Sequence, residues 1–251
     1  PWDPPVHYRR LYDDEEVPGL REVIFSLYGS ANQLTERELK RMRANYAGEV
    51  TMVDHWLGKF LSKMRQHGLM ENTVLIVVSD HGHCLGEHGI VSKQGYPMSR
   101  EVADLVMMAR YPDGTGAGKV CDALCYQHDI PSTILKALDI EPPDQMQGKD
   151  LMPAVTDAKK LYDFTTTGWG PFVMVRDTEY WYNAYLWGDR PMLFDLQADP
   201  QLVNNAAAQK KDIVKRMAER ALEDAGGIIP EHLRIVADMN IPGCTPLEAQ
   251  L

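Results

Sequence analysis

The chain has 251 residues, 44% of them hydrophobic and 25% charged, and a formal net charge of −10. That length fits one large domain, or one domain with a small appendage, and supplies enough apolar side chains for a real core. The acidic balance, with no Lys/Arg cluster to form a basic face, excludes a nucleic-acid binder. No apolar stretch approaches the roughly 18 residues of a membrane-spanning helix.

Residues 1 to about 33 are Pro-rich and mixed in charge, and read as an irregular surface segment. The opening Pro1-Trp2-Asp3-Pro4-Pro5 is neither a start nor a signal peptide, so the sequence reads as processed or as a piece of a longer one. Thr35 and Glu38 form a capping box. Leu39, Met42, Tyr46, Val50, Val53, Leu57, Phe60, Leu61 and Met64 follow at helical spacing, predicting one long amphipathic helix that ends near Gly68. The continuous apolar run Thr73 to Val78 predicts a strand buried on both faces, as in a parallel sheet covered by helices. A second strand of that type is expected at Leu105 to Ala109, and a helix from Ile130-Pro131 to about Leu138.

After Pro153 the character changes. Phe172 to Arg176, Glu179 to Tyr185 and Met192 to Asp195 read as short antiparallel strands, turned at Asp177-Thr178 and Gly188-Asp189. A helix from Lys211 to Glu223 ends at Gly226-Gly227. The expected organisation is an α/β portion over 1–156 and a small α+β subdomain over 157–251, with an antiparallel sheet and a helix. Cys84, Cys121, Cys125 and Cys244 lack zinc-site spacing and read as buried free thiols, with a disulfide left open.

The chemistry concentrates in Ser79-Asp80-His81-Gly82-His83-Cys84-Leu85-Gly86-Glu87-His88-Gly89, directly after the first buried strand. Ligands of open α/β sheets bind at the carboxyl ends of strands. Asp80 and His81 put a carboxylate and an imidazole, both metal ligands by type, on a Gly-rich turn. The same pair also occurs as a turn and helix cap, and His83 and His88 by themselves read as surface or hydrogen-bonded histidines. Lys93 by itself reads as a solvated surface lysine.

Taken as S-D-H-G-x-x-L-G-E-H-G with Lys93 four residues on, this segment resembles the C-terminal metal motif of the sulfatase family, within the alkaline-phosphatase-like superfamily. Further segments resemble that family's motifs in the same order: Val53-Asp54 with Leu57-Gly58, Asp129-Ile130-Pro131-Ser132-Thr133, Gly148 to Pro153, and Leu193-Phe194-Asp195-Leu196 with Asp199-Pro200 and Asn204-Asn205. The opening residues resemble the family's P-H-x-P-W-x-P-P segment, cut just after its histidine.

The resemblance implies part of an alkaline-phosphatase-like mixed or parallel sheet covered by helices. It implies that Asp80 and His81 bind a divalent cation, commonly Ca²⁺, and that Lys93 contacts a sulfate. The nitrogen of His81 departs from a pure oxygen set and tilts ligand softness toward Mn²⁺ or Zn²⁺. The implied reaction is hydrolysis of a sulfate ester of a small molecule or carbohydrate by a hydrated formylglycine. The formylglycine motif, C/S-x-P/A-x-R, occurs nowhere in this sequence. The nucleophile is therefore expected in a missing N-terminal half, and the chain alone is expected to be inactive.

Other readings remain open at this point. They are a phosphonate or phosphate ester hydrolase on the same scaffold, a non-catalytic truncated relative, and an independent α/β binding module. Trp181, Tyr182 and Trp187 could line a sugar-binding wall, or pack the small subdomain as strand residues.

Overall fold

The structure is a computed structural model and describes residues 2–22, 29–93, 95–186, 188–229 and 231–238. Pro1, Trp187 and Cys244 lie outside the described residues. The chain runs α1 (Val6–Arg9), β1 (Gly29–Ser30), α2 (Glu36–Gln66), β2 (Leu75–Val78), β3 (Cys84–Leu85), β4 (Ile90–Ser92), α3 (Arg100–Ala103), β5 (Met107–Arg110), α4 (Asp129–Ala137) and α5 (Met152–Thr156). It continues through β6 (Thr165–Trp169), β7 (Phe172–Arg176), β8 (Tyr180–Tyr185), β9 (Met192–Asp195), α6 (Lys211–Asp224) and α7 (Glu231–Asp238).

Helix α2 starts where its capping box stands. Thr35 Oγ1 accepts from the Glu38 backbone N–H at 3.2 Å, and the Glu38 carboxylate accepts from the Thr35 N–H at 2.9 Å, so two orphan donors are satisfied together. Met42 and Met64 of its apolar stripe are buried, while Val50, Val53 and Phe60 are more than half exposed. The Pro-rich segment before it is anchored rather than irregular throughout. Asp13 is buried and accepts from Arg41 Nε at 2.8 Å and Arg37 Nη1 at 2.7 Å. Burial pushes the Asp13 carboxyl up, but the hydrogen bonds and charges of the two guanidiniums outweigh it and hold the group at about 2.

The expectation of a parallel pair of strands buried on both faces is corrected here. β2 and β5 pair antiparallel, with Leu75 opposite Arg110 and Val78 opposite Met107. β5 is exposed along its whole length, and β2 is only partly covered. An apolar run reports that both faces want cover, not which neighbour supplies it or in which direction that neighbour runs. β1, β4 and β3 form a second, three-stranded antiparallel sheet.

The third sheet is the antiparallel meander β6-β7-β8-β9. Alternation along its strands sends Val173, Val175, Tyr182, Ala184 and Leu193 to one face, against Met217, Ile213 and Val214 of α6. Met174, Trp181 and Phe194 point the other way, onto Met98 and Leu202. Both faces are therefore covered, and Trp181 and Tyr182, 0% and 1% exposed, are core residues rather than a wall. Trp181 Nε1 donates to the Met98 carbonyl at 3.0 Å, the Asn183 carbonyl Oδ1 accepts from the Met98 N–H at 3.0 Å, and Arg176 pairs with Asp104. These bonds bind the sheet to the segment around α3.

Two of the ordered motifs prove to be each other's partners. Asp129, fully buried, accepts from the Lys149 N–H at 2.8 Å and from the Tyr162 hydroxyl at 2.6 Å, and Thr133 Oγ1 accepts from the Leu151 N–H at 3.0 Å. A Cβ on Gly148 would lie 1.9 Å from the His128 carbonyl oxygen, so only glycine allows this approach. Asp195, Asp199 and Asn205 likewise accept backbone N–H groups of the turns after β9. Cys84 is buried, whereas Cys121 and Cys125 are exposed free thiols, which corrects the expectation of burial for those two.

Candidate active site

The motif leaves β2 at its carboxyl end. Ser79 holds the exit in register: its N–H donates to the Val106 carbonyl, and its Oγ accepts from the Val106 N–H, both at 3.1 Å. The Gln127 side-chain amide donates to the carbonyls of Ser79 and Asp80 at 2.8 Å each, fixing the peptides on either side of Asp80. The Gly82 N–H donates to the Val102 carbonyl at 2.9 Å. A Cβ at Gly82 would stand 1.8 Å from the Glu101 carbonyl oxygen, so the turn can pass this close to α3 only with glycine.

Asp80 projects into solvent, its side chain 86% exposed. Its carboxylate accepts from the His81 N–H at 2.9 Å, and that bond holds it below the ordinary carboxylate range. His81 Nδ1 lies 2.9 Å from the Gly82 carbonyl, which can only accept, so Nδ1 carries the proton. Nε2 is left with its lone pair, and Lys93 Nζ donates to it at 2.9 Å. Asp80 Oδ2 lies 3.4 Å from the same nitrogen. Asp80, His81 and Lys93, the residues singled out in the sequence, thus converge on one point.

Oδ2 of Asp80 and Nε2 of His81 are close enough for one cation to touch both at ordinary bond lengths of about 2.0–2.6 Å. No group of three or more His, Cys, Asp or Glu side chains able to hold an ion occurs among the described residues. The donor set therefore fits a cation that takes its further ligands elsewhere.

The two outer histidines have other roles. His88 Nε2 lies 3.3 Å from Glu101 Oε2. His83 packs edge-on against Trp2 at 4.5 Å, and Trp2 does the same against Tyr46 at 5.0 Å, tying the turn to α2. Burial, reinforced by the positive charge of Lys93, pulls the His83 imidazole down to about 4, so it is neutral at physiological pH. Cys84 Sγ contacts Ser99 Oγ at 3.2 Å, and burial pushes its thiol up to about 11, which makes it inert. Gln127 is the residue that sequence reasoning missed; an isolated glutamine two positions before Asp129 carries no local signal.

The sulfatase family model matches residues 7–140, and the model described as N-sulphoglucosamine sulphohydrolase, C-terminal, matches residues 86–225. The chain is 27% identical over 231 residues to an arylsulfatase of Clostridium perfringens, covering 82% of this chain and 46% of the relative. A protein solved in complex with its substrate D-glucosamine-2-N,6-O-disulfate superposes with a TM-score of 0.65 at 22% identity, over 82% of this chain and 43% of that one. The phosphonate monoester hydrolase of Agrobacterium radiobacter superposes with a TM-score of 0.69 at 24% identity, over 80% of this chain and 44% of that one. The chain spans less than half the length of each of these proteins. Its architecture is that of an alkaline-phosphatase-like α/β fold.

Proposed function

Because this chain belongs to the sulfatase family, we propose that the whole protein hydrolyses a sulfate ester, and that this chain supplies Asp80 and His81 as cation ligands and Lys93 as the sulfate contact. The observation that carries the reading is the convergence at His81 Nε2, with Lys93 Nζ at 2.9 Å and Asp80 Oδ2 at 3.4 Å. A divalent cation there, Ca²⁺ in our reading with Mn²⁺ or Zn²⁺ as softer alternatives, would supply Lewis-acid withdrawal of charge from a sulfuryl oxygen. Asp80 is held anionic by the His81 N–H. His81 is held in one tautomer by the Gly82 carbonyl, with its lone pair outward. The Lys93 ammonium stands where it can turn to a second sulfuryl oxygen and stabilise charge that grows as the ester bond breaks.

The nucleophile in this reading is a hydrated formylglycine outside the present sequence, which has no C/S-x-P/A-x-R segment. The proposed substrate is a sulfated sugar. The glucosamine disulfate bound by one fold relative and the sulphoglucosamine family model support that class. A second reading, phosphonate ester hydrolysis, is supported by the likeness to the Agrobacterium radiobacter enzyme. Paired assays of the whole protein on an aryl sulfate and an aryl phosphonate decide between them: faster sulfate cleavage is expected, and faster phosphonate cleavage would replace the sulfatase reading.

A further inference from the structure

The turn that carries Asp80 and His81 is held at both ends by backbone bonds. At its start the Ser79 N–H donates to the Val106 carbonyl at 3.1 Å, and at its end the Gly82 N–H donates to the Val102 carbonyl at 2.9 Å. Between these anchors, the carbonyls of Ser79 and Asp80 both accept from Nε2 of Gln127, at 2.8 Å each. A primary amide nitrogen has two N–H donors, and each is spent here on one carbonyl. The amide oxygen could pair with neither, so chemistry settles which end of the side chain faces the turn.

Gln127 is itself held from the opposite side. It stands in the turn that opens α4, where its carbonyl accepts from the Ile130 N–H at 3.1 Å. Its neighbour Tyr126 donates its N–H to the buried Asp129 carboxylate at 2.7 Å, and its hydroxyl accepts from the Thr166 N–H of β6 at 2.7 Å. The Tyr126 ring stacks on His128 at 4.6 Å and 18°. An exposed amide on a loose backbone would trade its bonds for water; on a backbone pinned in this way it keeps them. Asp80 needs such support. Its side chain is 86% exposed, and the N–H that its carboxylate accepts, that of His81 at 2.9 Å, belongs to the same turn. Its direction is therefore set by the peptides on either side of it, the two that Gln127 holds.

We propose that Gln127 is a positioning residue for the cation site: by fixing the two peptides that flank Asp80, it aims the Asp80 carboxylate and the His81 imidazole at one point and so sets the affinity of the site for a divalent cation. The proposal rests on the cation-ligand reading of Asp80 and His81 given above. It gives the turn before α4 a task in the site that is carried through two backbone carbonyls, not through contact with the cation or the ester.

The test is calorimetric titration of the metal-free whole protein with Ca²⁺ and, separately, Mn²⁺, paired with its thermal unfolding. Gln127→Glu keeps the size of the side chain, removes both donors and adds a negative charge. Charge alone would tighten cation binding, whereas loss of positioning should weaken it about 10- to 100-fold, the range for partners that orient metal ligands. Gln127→Met, of similar length and uncharged, should weaken it by a similar factor. Asn205→Ala removes the acceptor of the Leu193 and Ala207 N–H groups in a turn of the small subdomain; it sets the scale of plain destabilisation and should keep the parent's Kd. Unchanged or tighter binding in Gln127→Glu overturns the proposal. So does a loss of affinity in Asn205→Ala equal to that in Gln127→Met at the same fall in Tm. If Asp80→Ala abolishes binding while both Gln127 variants keep the parent's Kd, the positioning role fails and the cation reading stands. If the unaltered protein binds neither ion, that reading fails and takes the positioning role with it.

Discussion

The buried carboxylate of Asp129 accepts the backbone N–H of Lys149 at 2.8 Å, and through that bond the start of α4 holds the loop that leads into α5. The same carboxylate accepts from the Tyr126 N–H at 2.7 Å and the Tyr162 hydroxyl at 2.6 Å. Asp129→Ala strips the partners from these donors and should cost about 3 kcal/mol or more. Asp129→Asn keeps one acceptor oxygen and should cost roughly half of that. Denaturant unfolding of the whole protein checks the order; an alanine variant as stable as the parent would show that the clasp contributes nothing.

Lys93→Ala should lower kcat on a sulfate ester by about 10²- to 10³-fold, the range for removing one preorganised charge donor, while leaving the midpoint of thermal unfolding close to that of the parent. Its half-buried side chain donates to His81 Nε2 at 2.9 Å. Lys93→Arg restores the charge but not the compact ammonium, and should recover part of the rate. Single-substrate kinetics with a thermal scan of each variant separate loss of chemistry from loss of fold.

Much of this was legible along the chain, and the exceptions share a cause. Asp80, His81 and Lys93 stand out through the spacing of a motif that resembles the sulfatase family's, since residue type alone leaves them a turn and a surface lysine, and Thr35 with Glu38 because a cap is a local event. β6 was missed because Thr165-Thr166-Thr167-Gly168-Trp169 has neither apolar alternation nor a continuous apolar run, and becomes a strand only through pairing with β7. The antiparallel pairing of β2 with β5 was missed for the same kind of reason: Leu75 to Val78 would read identically beside either partner. Gln127 reaches two carbonyls 47 and 48 residues away, a relation that no local pattern encodes.

Asp13 ties acid stability to the anchoring of the N-terminal segment. Its carboxyl sits at about 2 in the folded protein against 3.8 for the free group. A carboxyl depressed in this way stabilises fully above its unfolded value, and the contribution fades as pH falls through 3.8 toward 2. The difference is worth about 2 kcal/mol. Asp13→Asn should flatten the pH dependence of stability in that window. It should also cost about 3 kcal/mol at neutral pH, the low end for breaking a buried ion pair, because Glu22 still pairs with the buried Arg41 at 3.0 Å. Unfolding measured from pH 6 down to about pH 2 checks both; parallel curves for parent and variant would exclude Asp13 as the titrating group.

Gly82→Ala places a methyl group 1.8 Å from the Glu101 carbonyl oxygen, a backbone atom with little freedom to yield. The turn must move, and Asp80 and His81 move with it, since the Gly82 N–H and carbonyl are bonded to Val102 and His81. The expected result is a loss of about 1–3 kcal/mol in stability together with a fall in activity and in cation affinity. Gly58→Ala on α2, where a Cβ meets nothing within 4 Å, is the control and should be neutral or slightly stabilising. Equal behaviour of the two variants would show that the close approach at Gly82 does not position the site.

The two-stranded β2–β5 ribbon supports the motif, yet it exposes Val78, Val106, Met107 and Met108, between 39% and 59% each. Contiguous apolar surface on a strand with an unpaired edge is a template for association. Expressed by itself, this chain should bind a hydrophobic dye and self-associate at micromolar concentration. Met108→Asp should suppress both effects, because a charge on the outer strand opposes edge-to-edge pairing. In the whole protein the same substitution should instead destabilise the fold, since a covered strand would have to bury an unpaired carboxylate. Sedimentation and dye binding of both forms measure the contrast. If Met108→Asp is harmless in the whole protein, the ribbon stays open to solvent there too, and the site must be completed from another face.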